Sequence, residues 1–123
     1  MLFLTKQPNT MNFETTQNKN EAVVKTKVEK LDASNASELK SELLVLNKNG
    51  VNNMVIDMSE TRYCDSSGLS AILSANRLCR DTNGHFALCG LNDNVMKLIQ
   101  IAQLDRVLTI TIDQASAMEA LRK

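Results

Sequence analysis

A chain of 123 residues that is 43% apolar, with 14 lysines and arginines against 14 aspartates and glutamates, can bury one core. Its zero net charge gives no global field to draw it onto nucleic acid or an anionic membrane, so a protein or small ligand is the expected partner. No apolar run approaches the roughly 18 residues a membrane-spanning helix needs, residues 1–4 are too few for a signal-peptide core, and Cys64, Cys79 and Cys89 form neither a disulfide framework nor a familiar zinc pattern, which together predict a cytoplasmic protein.

Residues 1–20 hold the single proline and an excess of Asn, Gln and Thr, the composition of a partly disordered polar leader with one short strand at its end. Over 22–31, Val24, Thr26 and Val28 alternate with Lys25, Lys27 and Glu29, which predicts an exposed or edge-side strand with one wet face. Asn35 and Glu38 then stand at capping-box spacing ahead of a stripe of Leu39, Leu43 and Leu46, with Asn49 and Gly50 as a stop. A short apolar run at 54–56, without helical flanks, predicts a buried central strand covered by helices on both faces.

Leu69, Ile72, Leu73 and Cys79 recur at helical spacing from 66 to about 82, ahead of Asn83 and Gly84. Residues 85–90 predict a further strand, and Asn92 or Asp93 caps a helix striped by Val95, Leu98, Ile99 and Ala102. The span 106–112 reads as a last strand, and 113–121 as a closing helix carrying Ala115, Met118 and Leu121. Such alternation implies a mostly parallel sheet with right-handed crossovers, which places function at the loops after strand C-termini. Residues 64–68 lie at one of these tips.

That tip reads Cys64-Asp65-Ser66-Ser67-Gly68. A serine hydrolase would need a G-x-S-x-G elbow, which is absent, and the sole histidine, His85, opens a strand beyond the next helix. Neither G-x-x-x-x-G-K-[ST] nor G-x-G-x-x-G occurs, so no nucleotide loop is present. A response-receiver reading finds Asp57 and Lys97 but lacks the acidic pair after the first strand. The simplest role for Asp65 or Ser66 is to cap the helix, contributing ~1 kcal/mol. Gly68 asks for more, because a glycine in the first turn costs about 1 kcal/mol against alanine. Close approach by a partner's active site is one reason to omit that side chain. Lys25, Lys27 and Lys30 read as a solvated face, Met96 and Met118 as fillers of core gaps, and Tyr63 as either core or interface.

Asp65-Ser66-Ser67-Gly68-Leu69, following Val55-Ile56-Asp57-Met58-Ser59-Glu60, resembles the signature of the STAS family, the bacterial anti-sigma factor antagonists. The similarity runs over about 22–122, within a domain expected to span 21–123. It implies an α/β fold, a mixed and mostly parallel sheet of four to five strands flanked by about four helices, with no catalysis and no cofactor of its own. The implied partner is an anti-sigma factor that is also a serine kinase, with a phosphatase as a further candidate and neither nucleic acid nor membrane insertion involved. Carried onto this chain, Ser66 is the phosphate acceptor, Asp32 and Asp65 are acidic positions that meet the kinase, and Ser67 and Gly68 complete the partner-binding set. Two positions depart from the family pattern: Glu29 and Ser70 stand where glycine is common. The alternative within the family is a subunit of a lipid-transport ABC system or of a stress-signalling complex that acts without phosphorylation; the complete motif argues against it. An enzyme would be a third class, and the expectation is that the chain alone turns over neither esters nor nucleotides.

Overall fold

In the computed structural model, which describes residues 12–122, the chain opens with β1 (Phe13–Asn18), β2 (Glu21–Thr26) and β3 (Lys30–Leu31). Helix α1 (Ala36–Lys48), β4 (Asn53–Asp57), β5 (Tyr63–Cys64) and α2 (Ser66–Asp81) follow, then β6 (Phe86–Cys89) and α3 (Asp93–Ile101). A 3-10 turn at Leu104–Arg106, β7 (Thr109–Thr111) and α4 (Gln114–Leu121) close the order. Five strands form one sheet in the order β1-β2-β4-β6-β7, with β1 antiparallel and the remainder parallel.

Strand β4 is the central one, and its run from Met54 to Asp57 is buried on both faces, as an interior parallel strand must be. Met54 and Ile56 join the larger core with Leu39, Leu43 and Leu46 of α1 and with Leu69, Ile72 and Ala75 of α2. Val55 faces the other way, onto a smaller cluster of Ala87, Cys89, Ala117 and Leu121 under α4, where Met118 also packs. Val95 and Ile99 seat α3, which Asn92 caps by accepting from the Val95 N–H at 2.9 Å.

Several local expectations change. Strand β2 is interior, because β1 pairs along its other side and takes the edge; Phe13 and Thr15 of β1 are fully buried. Of the leader expected over 1–20, residues 1–11 lie outside the described residues. The capping box at α1 does not form. Asn35 instead accepts from the Asp32 N–H (3.0 Å) and donates to the Lys30 carbonyl (2.9 Å), while Glu38 accepts from Asn12 (2.9 Å). Asn35 is drawn into local bonds to the end of β3 and Glu38 into a tertiary one, in place of the cap. The span 106–112 pairs over Thr109–Thr111 alone; Leu108 is buried and Ile110 packs on the core, while Val107 and Ile112 are 51% and 82% exposed. Ala102 and Ala115 are likewise exposed, and Ala117 with Leu121 fastens α4.

The predicted strand over 22–31 breaks after Thr26, where a buried relay begins. The Thr26 hydroxyl is 2.6 Å from that of Thr61, and Thr61 donates to the Val28 carbonyl at 2.7 Å. These bonds turn the chain out of the sheet and tie it to the 58–62 connection. Positive φ among the described non-glycine residues is confined to Lys19, Asn83 and Gln103, so the bend at Glu29 is made with ordinary dihedrals and needs no glycine. Thr61→Val is expected to cost about 1–2 kcal/mol by removing the donor to the Val28 carbonyl and leaving the Thr26 hydroxyl only its long bond to the Asp57 carbonyl (3.4 Å). Urea denaturation measures it, and an unchanged midpoint would remove the relay from the account of the bend.

Candidate functional site

Beyond the relay, the Arg62 and Tyr63 N–H groups both donate to the Glu29 carbonyl, at 2.8 and 3.0 Å. Strand β5 then pairs in parallel with β3, Lys30 opposite Tyr63 and Leu31 opposite Cys64. The Asp65 N–H continues the ladder to the Leu31 carbonyl at 3.2 Å, and there the chain turns into α2. Asp65 is the N-cap. Its backbone is extended, its carbonyl accepts the first helical bond from Leu69 (2.9 Å), and its Oδ1 accepts from the Gly68 N–H at 3.1 Å. Ser66 is therefore the first residue of α2, with its side chain exposed; Asp65 is exposed and Ser67 half-buried.

Gly68 is buried, and the reason for its missing side chain lies inside the fold. A Cβ there would stand 2.5 Å from the Leu31 carbonyl oxygen and 2.6 Å from the Cys64 sulfur. Where the sequence suggested approach by a partner's active site, the crowding seen is internal, made by β3 and β5 against the first turn of α2. Gly68 thereby sets the height at which Ser66 is presented.

The second acidic position is brought alongside by the same small sheet. Asp32 follows β3, is half-buried, and accepts from the Ser34 hydroxyl (2.6 Å) and N–H (3.0 Å), bonds that hold its carboxyl below the usual aspartate range. Asp32 and Asp65 line one groove of about 440 Å³ with Lys30, Leu31, Tyr63 and Cys64. Tyr63, which pattern alone left open between core and interface, is 46% exposed and forms a wall of it. A second groove of about 370 Å³ lies between the starts of α1 and α2, lined by Ala33, Ala36, Ser37, Lys40, Ser66, Ser67 and Ser70. Ser66 thus lines the second groove, and its neighbour in sequence, Asp65, lines the first. Lys40 carried no sequence signal as a site residue, since only the packing of α1 against α2 brings it to Ser66, and Lys30 read as part of a solvated face.

Other chemistry is not assembled here. His85 precedes β6 and its carbonyl accepts from Met54, at the start of β4, whereas Ser66 follows the connection from the opposite end of that strand. The Cys64 thiol is pushed up to about 12, by burial first and then by the Asp65 charge, so it is no nucleophile at neutral pH. Asp57 is buried and accepts from the Gln114 amide (2.6 Å) and the Ser59 N–H (2.9 Å), which makes it a clasp between β4, the following connection and α4. Among the described residues no group of three His, Cys, Asp or Glu side chains could hold a metal ion, and no helix is long and apolar enough to cross a membrane.

The STAS domain family model matches residues 12–117. The chain belongs to the STAS domain family. An anti-sigma-B factor antagonist of Listeria monocytogenes is 32% identical to this STAS domain over 81 residues, 65% of this chain and 70% of that protein. An anti-sigma-factor antagonist (STAS) domain protein of Planctomyces limnophilus has the same fold, with a TM-score of 0.81 at 16% identity over 90% of this chain and 98% of that one. So does the anti-sigma factor antagonist SpoIIAA of Bacillus. Its unphosphorylated form gives a TM-score of 0.77 at 17% identity over 89% of this chain and 96% of that one. Its phosphorylated form gives 0.69 at 15% over 88% and 97%. The sheet and four helices expected of a STAS domain are those observed.

Proposed function

We propose that this STAS domain is a phosphorylation-controlled anti-sigma factor antagonist: unmodified, it binds an anti-sigma factor that is also a kinase, and phosphate on Ser66 releases it. The observation that carries this reading is the exposed Ser66 side chain on the first residue of α2, in the α1–α2 groove and next in sequence to Asp65, which lines the neighbouring groove with Asp32. Names of relatives supply the class of partner, and SpoIIAA, solved with and without phosphate, is a precedent for the modification on this fold.

In the transfer, the Ser66 hydroxyl oxygen attacks the γ-phosphorus of ATP held by the partner. The bond from that phosphorus to the β–γ bridging oxygen breaks, ADP leaves, and the hydroxyl proton passes to a base of the partner or to water. The fold tolerates the product, because the first N–H groups of a helix lack intrahelical partners and favour negative charge. The interface does not. A phosphoserine of about −1.5 to −2 charge, some ~5 Å from a unit of negative charge on ADP or on the partner, costs roughly 1 to 7 kcal/mol at effective dielectrics of about 80 to 20. Each 1.4 kcal/mol is about tenfold in affinity. Asp65 orients the site through its cap, Asp32 and Ser67 meet the partner beside it, and Gly68 positions the helix from below.

Incubation with the kinase-type anti-sigma factor and Mg-ATP, followed by mass spectrometry, is expected to find one phosphate on the Ser66 peptide and none on a Ser66→Ala chain. In titrations, Ser66→Ala should keep the wild-type affinity and Ser66→Asp should lose about tenfold or more. Phosphate on another residue, with Ser66→Ala modified at the wild-type rate, overturns the assignment.

A further inference from the structure

The groove that Ser66 lines and the neighbouring one lined by Asp65 differ in charge. One presents Asp32 and Asp65 against Lys30; in the other, between α1 and α2, Lys40 is the sole charged residue of the lining. Among the described residues the ion pairs are Lys25 with Glu60 and Arg122 with Glu21, so no carboxylate occupies Lys40. Lys40 lies one turn beyond Ala36, the first residue of α1. Helical side chains slant towards the N-terminus and stack on the residue four before, so its stem runs back over Ala36 towards Ala33, side chains too small to cover it. Across the groove, Ser66, Ser67 and Ser70 are equally short. The result is an open trough with one exposed cation on the α1 wall and the acceptor hydroxyl on the α2 wall.

We propose that Lys40 captures the phosphate carried by Ser66, drawing it into the α1–α2 groove and away from the face that presents Asp32 and Asp65. The inference rests on Ser66 as the phosphate acceptor and adds what becomes of the product. The ammonium donates to the phosphate oxygens and holds them in the groove, while a single cation leaves the phosphate a net negative charge, so repulsion of the partner persists. Lysine suits this task, being a flexible point charge that can follow the phosphate. No carboxylate lines this trough to compete for the ammonium; Asp32 and Asp65 line the neighbouring groove.

The test uses the full chain with phosphoserine installed at 66 by genetic encoding, so that no kinase is required, compared with the same chain carrying Lys40→Met. Lys40 is exposed, and methionine keeps most of the stem, so the fold is expected to persist, as an unchanged amide spectrum would verify. Titration by 31P NMR is expected to place the second phosphate ionisation about 0.5 to 1 unit lower in the chain that retains Lys40 than in the K40M chain. Lys40→Arg should restore most of the shift, and added salt should shrink it. The helix start depresses the ionisation in both chains and cancels in the difference. Coincident titration curves for the two chains overturn capture by Lys40. A lysine-dependent shift in a chain that the kinase fails to modify at Ser66 would uphold the capture and reject the switch.

Discussion

Gly68→Val is expected to destabilise the domain by about 3 kcal/mol and to lower its melting temperature by about 10 °C or more, because the added branches meet groups that cannot yield. The obstructing atoms are the Leu31 carbonyl oxygen, a backbone atom in the β3–β5 pairing, and the Cys64 sulfur at the end of that pair. Relief requires that α2 lift from the small sheet, which strains the Asp65 N–H bond to Leu31 and tilts Ser66 away from Asp32. Gly68→Ala sets the same clash against a gain of about 1 kcal/mol in helix propensity, so a smaller net loss is expected. Ser70→Ala, on the exposed side of the same turn, serves as the neutral control. Thermal melts that place Gly68→Val within about 2 °C of wild type would show that this contact does not set the position of the helix.

Asp57→Ala is expected to cost about 2–3 kcal/mol at pH 7, the loss of a buried carboxylate with two donors left behind. Burial alone would push the Asp57 carboxyl up; the bond from Gln114, those from Ser59 and the Lys25 charge outweigh it, and the carboxyl sits below its ordinary value of 3.8. For a depressed acid, the folded state holds fewer protons than the unfolded chain near and below that value. Its contribution is therefore complete above the unfolded value and is lost as pH falls through the folded one. Urea midpoints for wild type and Asp57→Ala should stay separated from pH 7 to about 5, then converge as the solution is taken below the ordinary aspartate range. A separation independent of pH would show that shape, not charge, makes the clasp. Since the Ser59 N–H is one of its donors, the variant should also loosen the 58–62 connection that delivers Asp65 and Ser66.

Much of the architecture is legible in local chemistry. Leu39, Leu43 and Leu46 have no helical register that buries them except a shared face, and the unbroken apolar stretch of β4 fits only a strand covered on both sides. Asp65 and Asn92 announce their helices because a cap is made with a backbone N–H three residues on. The same logic misled at Asn35 and Glu38, where partners at Asp32, Lys30 and Asn12 compete for the same side chains.

By itself the sequence determined the alternation of strands and helices, the start of α2 and the identity of Asp65, Ser66 and Gly68 at that start, since each depends on residues within a turn or two of one another. Only the tertiary structure decided that β2 is interior, that two-residue strands β3 and β5 pair, that Leu31 is what Gly68 makes room for, that Asp32 shares a groove with Asp65, and that Lys40 shares one with Ser66. Those relations join residues far apart in the chain. Their energy comes from backbone pairing and close packing between segments, which leave no periodic trace in either segment alone.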